Sequence, residues 1–131
     1  MAQANHTVIT DYRRQMLCKI TSGAIRVLPP VTHIAFGDGG TGEDGQPLDP
    51  VGTQEALNHE VGRYPLDEPP AYPIPTTARY TVTIPRAELP EINISEAALV
   101  DGDGKLCAIR NMLPKGKDGD VAFTFAFDDE F

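Results

Sequence analysis

Proline placement constrains this chain more than any other feature. Pro69, Pro70, Pro73 and Pro75 fall within seven residues, Pro29 and Pro30 are adjacent, and Pro85 and Pro90 bracket a short segment. Each proline fixes φ and removes a backbone donor, so these positions break helices and stay out of central strands. The 69–75 stretch is expected to be an extended, polyproline-like arm or connector, with Tyr72 inside it. Pro29–Pro30 stops anything helical that precedes it.

Between these breaks the sequence alternates at a period of two. Tyr80, Val82 and Ile84 alternate with Arg79, Thr81 and Thr83, and Val121, Phe123, Phe125 and Phe127 alternate with small residues. Period two is the mark of a half-buried strand. Val31–Phe36, Val61–Leu66, Ile92–Val100 and Leu106–Asn111 read as further strands, with Asp101-Gly102-Asp103-Gly104 turning the last two into a hairpin. One segment has helical spacing. Tyr12, Met16, Ile20 and Ala24 recur every four residues behind Thr10-Asp11, and Arg13, Arg14 and Lys19 fall on other faces. That helix is expected to end near Ser22–Gly23. Gly37-Asp38-Gly39-Gly40 reads as a turn where positive φ is cheap, opening a long exposed loop to Gly52. Thr53 is placed to cap a short helical turn through Leu57, and Lys115–Asp120 reads as a polar loop. The expected fold is α+β: an antiparallel β-rich sheet or sandwich with one N-terminal helix packed on it, as a single domain over 1–131.

Composition narrows the function. With 11 Lys and Arg against 19 Asp and Glu, the net charge of −8 repels phosphate backbones, so nucleic acid is not an expected partner. No apolar run approaches the roughly 20 residues that span a bilayer, so no membrane is expected either. The polar stretch from Met1 to Asp11 lacks the apolar region of an export signal, so assembly in the cytoplasm is expected. Cys18 and Cys107 are too few for a disulfide framework and read as two buried thiols.

Motifs with chemistry fail on spacing. Asp101-x-Asp103-Gly104 opens like a calcium loop, but the twelfth position is Met112 where a Glu is required. The glycines at 37–42 lack the Lys-Ser/Thr of a phosphate loop. His6, His33 and His59 form no i, i+4 pair, so no metal or other cofactor is expected. Ser22 and Ser95 lie in no nucleophile elbow. No enzyme is expected. Arg63 and Glu96 stand out differently, because each lies in or beside an apolar strand where a buried charge needs a partner.

Three segments together resemble a known family. They are His33–Gly40, Leu57-Asn58-His59-Glu60-Val61-Gly62-Arg63, and Ile94–Ile109 with its Glu96 and Asp-Gly-Asp-Gly turn. In order and spacing they are similar to the N-terminal domain of phage tail-collar fibre proteins, found in contractile-tailed phages and phage-like bacteriocins. The resemblance spans residues 9 to 115, with Ala97-Ala98 standing where the family prefers Ile-Gly. It implies a structural protein of the virion tail that joins a tail fibre to the baseplate. The implied partners are baseplate wedge and tail fibre subunits, and further copies of the chain in a homotrimer. Gly37, Asp38, Gly39, Glu60, Arg63, Glu96, Asp101, Gly102 and Gly104 become structural turn and pairing residues. Pro69, Pro70, Tyr72, Pro73 and Pro75 become partner contacts. Family members usually continue into a shaft and receptor-binding tip; this sequence stops after its Phe strand, so an adaptor or a baseplate cap is expected. Two rivals from other classes are a carbohydrate or host-surface binding module using Tyr64, Tyr72 and Tyr80, and a small cell-wall hydrolase using paired carboxylates.

Overall fold

Period-two segments become strands and the one period-four segment becomes a helix in the computed structural model, which describes residues 6–131. The order is β1 (His6–Ile9), α1 (Asp11–Thr21), β2 (Val31–Gly37), β3 (Glu60–Pro65), β4 (Ala71–Ile74), β5 (Thr77–Ile84), β6 (Ile92–Asp101), β7 (Leu106–Lys117) and β8 (Phe123–Glu130). One sheet has five strands in the order β1-β7-β6-β2-β3 and the other three in the order β4-β5-β8. Every pairing is antiparallel. The fold is therefore β-rich α+β, with a single short helix among the described residues. The first five residues of the polar N-terminal stretch lie outside the described residues.

The larger core cluster draws on both sheets. Ile34 and Phe36 of β2 and Ile94 and Leu99 of β6 meet Val82 and Ile84 of β5 and Phe125 and Phe127 of β8. Phe36 stands edge-on to Phe125 with ring centroids 5.5 Å apart, a favoured aromatic geometry. A second cluster lies on the opposite face of the five-stranded sheet. Ala35, Ala98, Ile109 and Val8 are register partners in one row across β2, β6, β7 and β1, and Leu57 packs against this row. The middle of the sheet is covered on both faces. That is why β6 reads as a near-continuous buried run from Ile94 to Asp101 instead of alternating.

Helix α1 starts and stops as its caps dictate. Thr10 Oγ1 accepts from the Arg13 N–H at 3.2 Å, and Gly23 follows the C-cap with φ 85°. Its packing differs from the expected stripe. Tyr12, Met16 and Ile20 are only half-buried, Ala24 is exposed, and the one buried helix residue is Arg13. An ion-pair partner, described below, makes that burial tolerable. Cys107 is buried as expected, but Cys18 is exposed on the outer face of α1.

Other expectations are corrected by pairing. The 69–75 stretch is not a free arm. Tyr72 and Pro73 lie within β4, an edge strand that turns through Pro75-Thr76 into β5, and an edge tolerates a missing donor. Residues 53–57 form turns and bends with no helix. Lys115–Lys117 belong to β7 and not to a loop, because β6 from Ile92 to Ile94 pairs with them. Pro114 falls where the register shifts between Ile94/Lys115 and Glu96/Asn111, a bulge that needs no ladder donor. At the far end β8 begins at Phe123 and continues through Asp128-Asp129-Glu130. The short strand β1, on the outer edge of β7, has no sequence signal strong enough to separate it from the polar stretch around it.

Candidate functional site

The glycine-rich turn and the Leu57–Arg63 segment meet at one side chain, Glu96. It is fully buried in β6, in the row Glu60–Gly37–Glu96–Asn111–His6 that crosses the face bearing the second core cluster. Glu96 Oε2 accepts from the N–H groups of Gly39 (2.9 Å) and His59 (2.8 Å), and Oε1 accepts from Asn58 N–H (2.9 Å). Three backbone donors satisfy a carboxylate without any cation. Next to it, Ser95 Oγ accepts from Gly40 N–H at 2.9 Å. The two ends of the β2–β3 connection are thus tied to one strand.

This geometry explains the glycines, and not for the expected reason. Gly37, Gly39 and Gly40 are absent from the residues with positive φ. They are glycines for space. A Cβ on Gly37 would collide with Glu96 Oε2 and the His59 carbonyl, and one on Gly40 with the Ser95 carbonyl. The backbone passes so close to β6 that only hydrogen fits. From Thr41 to Gly52 the connection is a mixture of exposed and half-buried residues, less open than expected, and it is anchored along its length. Asn111 Nδ2 donates to Leu48 O (2.9 Å), His6 Nδ1 contacts Asp49 (2.8 Å), and His59 Nδ1 contacts Asp38 (2.5 Å). Asn111 Oδ1 is the one buried side-chain polar atom without a partner among the described residues.

Arg63 and Glu60 pair with each other at the edge of the sheet, Nε to Oε2 at 2.7 Å, and Arg63 Nη1 reaches the Gly104 carbonyl at 3.2 Å. Arg63 is therefore not a buried charge. The Asp101–Gly104 segment is the tight turn read from sequence: Asp101 Oδ1 accepts from Asp103 and Lys105 N–H, Gly102 N–H donates to Pro30 O, and Gly104 has φ 80°. Asp101 Oδ2 also accepts from Tyr12 OH at 2.5 Å; burial, reinforced by this bond, holds the phenol far above its usual titration range.

A second polar cluster lies at the end of α1. Arg13 makes a two-pronged pair with Asp129 of β8, Nη1 to Oδ1 at 2.9 Å and Nη2 to Oδ2 at 2.6 Å, with the side chains 10% and 1% exposed. Burial pulls the Arg13 pKa down, but the bonds to Asp129 outweigh it and the net shift is upward. Cys107 sits beside this pair, and burial raises its thiol to about 12. A third buried charge, Lys117, donates from Nζ to the carbonyls of Arg86 and Asp118, both at 2.8 Å. Sequence reading missed all three. Arg13 sat off the apolar stripe, Asp129 in an acidic tail and Lys117 in an apparent loop.

Comparison with family models, with curated proteins and with solved structures finds no match.

The proposed partner contacts lie together around β4. Tyr72 is 68% exposed and Ile74 is exposed, at an edge of the three-stranded sheet. Pro69 precedes them and is exposed, and Pro70 is half-buried. Of the three tyrosines weighed for sugar stacking, Tyr64 is half-buried with its OH on Glu88, and Tyr80 is half-buried against the core. Only Tyr72 is open. Among the described residues no group of three or more His, Cys, Asp or Glu could hold a metal ion.

Proposed function

We propose that this chain is a non-enzymatic structural protein of a contractile phage tail or phage-like particle, attaching a tail fibre to the baseplate. The observation that carries the proposal is the convergence at Glu96. The three segments that resemble the tail-collar family lie far apart in sequence yet occupy the adjacent strands β2, β3, β6 and β7. Glu96 from the third segment binds Gly39 of the first and Asn58 and His59 of the second. A motif set that shares one structural junction is what a common framework requires, and its Ser95 and Glu96 side chains accept from backbone N–H groups.

In this reading the two sheets form a sandwich, with the shared core between them. The proposed contacts are the β4 edge with Pro69, Pro70, Tyr72, Pro73 and Pro75, the 38–58 connection and α1. Exposed edges of this kind dock on neighbours by extended pairing. The partners are baseplate wedge and fibre subunits, in a homotrimer, on the virion tail after assembly in the host cytoplasm. The sugar-binding alternative is not advanced, because a single open tyrosine makes no stacking groove.

Cryo-electron microscopy of purified particles tests this. Density fitting this fold is expected at the baseplate periphery where fibres attach. Particles that lack the chain, or retain fibres after its deletion, would remove the proposal.

A further inference from the structure

Four strands stand at sheet edges: β1 and β3 in one sheet, β4 and β8 in the other. Soluble proteins blunt such edges with short strands, prolines, bulges or coverage. β1 has only four residues, and β4 carries Pro73 and a register shift. β3 pairs with β2 through a register shift at Phe36/Gly37. β8 has none of these devices; only the charges at its end, Asp128, Asp129 and Glu130, guard it. It runs eight residues without proline or lysine, and its register with β5 is unbroken from Ile84–Phe123 to Thr77–Glu130.

The phase of its backbone follows from two bonds. Phe131 N–H donates to Thr76 O, and Asp67 N–H donates to Thr81 O on the far side of β5. Odd-numbered residues of β8 therefore face β5, and Thr124, Ala126, Asp128 and Glu130 turn their N–H and C=O groups outward. None of these outward backbone groups bonds another segment among the described residues.

That open edge borders a cleft of about 260 Å³ lined by Thr7, Ile9, Arg110 and the 127–130 end of β8. Arg110 holds its guanidinium 4.3 Å over the Phe127 ring. Among the described residues its only side-chain bond is Nε to Thr7 Oγ1 at 3.2 Å, and no ion pair includes it. Burial lowers its pKa despite the nearby acidic groups Asp128 and Glu130. Asp128 is already taken by Arg79 and Asp129 by Arg13, each two-pronged. The cleft thus offers unpaired guanidinium donors beside an unpaired strand edge.

We infer that this seam binds an extended segment of another chain, which adds as a strand to β8 and brings a carboxylate to Arg110. Strand addition supplies main-chain bonds, and one charged side chain sets register and preference. The surface is distinct from the β4 edge and does not depend on where the chain resides.

Full-length protein labelled with ¹⁵N is titrated with Thr-Val alternating peptides of the length of β8, 8 residues, carrying a central Glu, Gln or Lys. The Glu peptide is expected to shift and protect the amides of Thr124, Ala126, Asp128 and Glu130, and to bind about tenfold more tightly than the other two. Ala126→Pro, at an outward N–H that β5 does not use, is expected to abolish binding of all three without lowering the unfolding midpoint. Arg110→Leu is expected to keep binding and level Glu with Gln. Three results would overturn the inference. No peptide moves these amides, the Lys peptide binds as well as the Glu peptide, or the amides shift with protein concentration alone, which would give the seam to a second copy.

Discussion

Glu96 and the Arg13–Asp129 pair are both buried charge, and they are stabilised in opposite ways. Glu96 is held by three backbone N–H groups of a loop, with no ion pair among the described residues. Arg13 and Asp129 are held by each other, across 116 positions of sequence. In the first case the side chain shapes the backbone. In the second, two side chains clamp elements that already exist. The difference teaches which site can be redesigned. A side-chain pair can be replaced together by apolar groups, whereas amides cannot be replaced.

The largest expected effect is therefore at the Glu96 junction. Glu96→Ala leaves three donors without an acceptor and is expected to cost about 4 kcal/mol, at ~1–3 kcal/mol per orphaned group. Gly40→Ala is expected to match it, since its Cβ meets backbone and not a movable side chain. Urea unfolding measures both against the ~5–15 kcal/mol of a typical domain. Glu96→Leu should rescue nothing, and a stable Glu96→Leu variant would erase the contrast.

Asp129→Ala comes next, with an expected loss of about 3 kcal/mol because Arg13 stays buried and unpaired. The double change Arg13→Met with Asp129→Leu is expected to recover most of that loss, a double-mutant cycle that Glu96 cannot mimic. Similar costs for the single and double variants would show that the two sites work alike.

Titration probes the helix end more gently. Cys107 keeps its proton in the fold up to about pH 12, while the unfolded thiol loses it near 8.5. The unfolded state binds fewer protons above that pH, so stability is full below about 8.5. It should then fall by about 1.4 kcal/mol per pH unit. Tyr64, raised to about 12 by burial and its bond to Glu88, adds to the slope above about pH 10. Denaturant midpoints of wild type and Cys107→Ala between pH 7 and 10 measure this, and the variant should lose the first decline. The smallest effect is at Arg63. Its pair with Glu60 is partly solvated, and Arg63→Ala is expected to cost below about 1 kcal/mol.

The same contrast decides what was legible in sequence. Local rules carried the elements: alternation gave β5 and most of β8, capping gave α1, and Asp-Gly turns gave the β6–β7 hairpin. The glycine run was visible, but its cause was not. Close approach to β6 is a tertiary fact, while positive φ is the local habit of glycine. Glu96 was recognisable as a charge in an apolar run, although its partners were unreadable because backbone amides leave no mark in sequence. Arg13 and Asp129 lie in polar surroundings, and only the fold brings them together. Pro73 excludes a central strand but does not separate an edge strand from an arm, since pairing with β5 depends on a turn at Pro75-Thr76 that proline statistics leave open.

Native-state hydrogen exchange at the amides of Gly39, Asn58 and His59 tests the Glu96 junction most directly. Exchange slowed to near the global unfolding limit, and released together in Glu96→Gln, is the expected result. Rapid, independent exchange at these three amides in the wild-type protein would mean that the glycine-rich connection is an ordinary open loop and that the three segments share no junction.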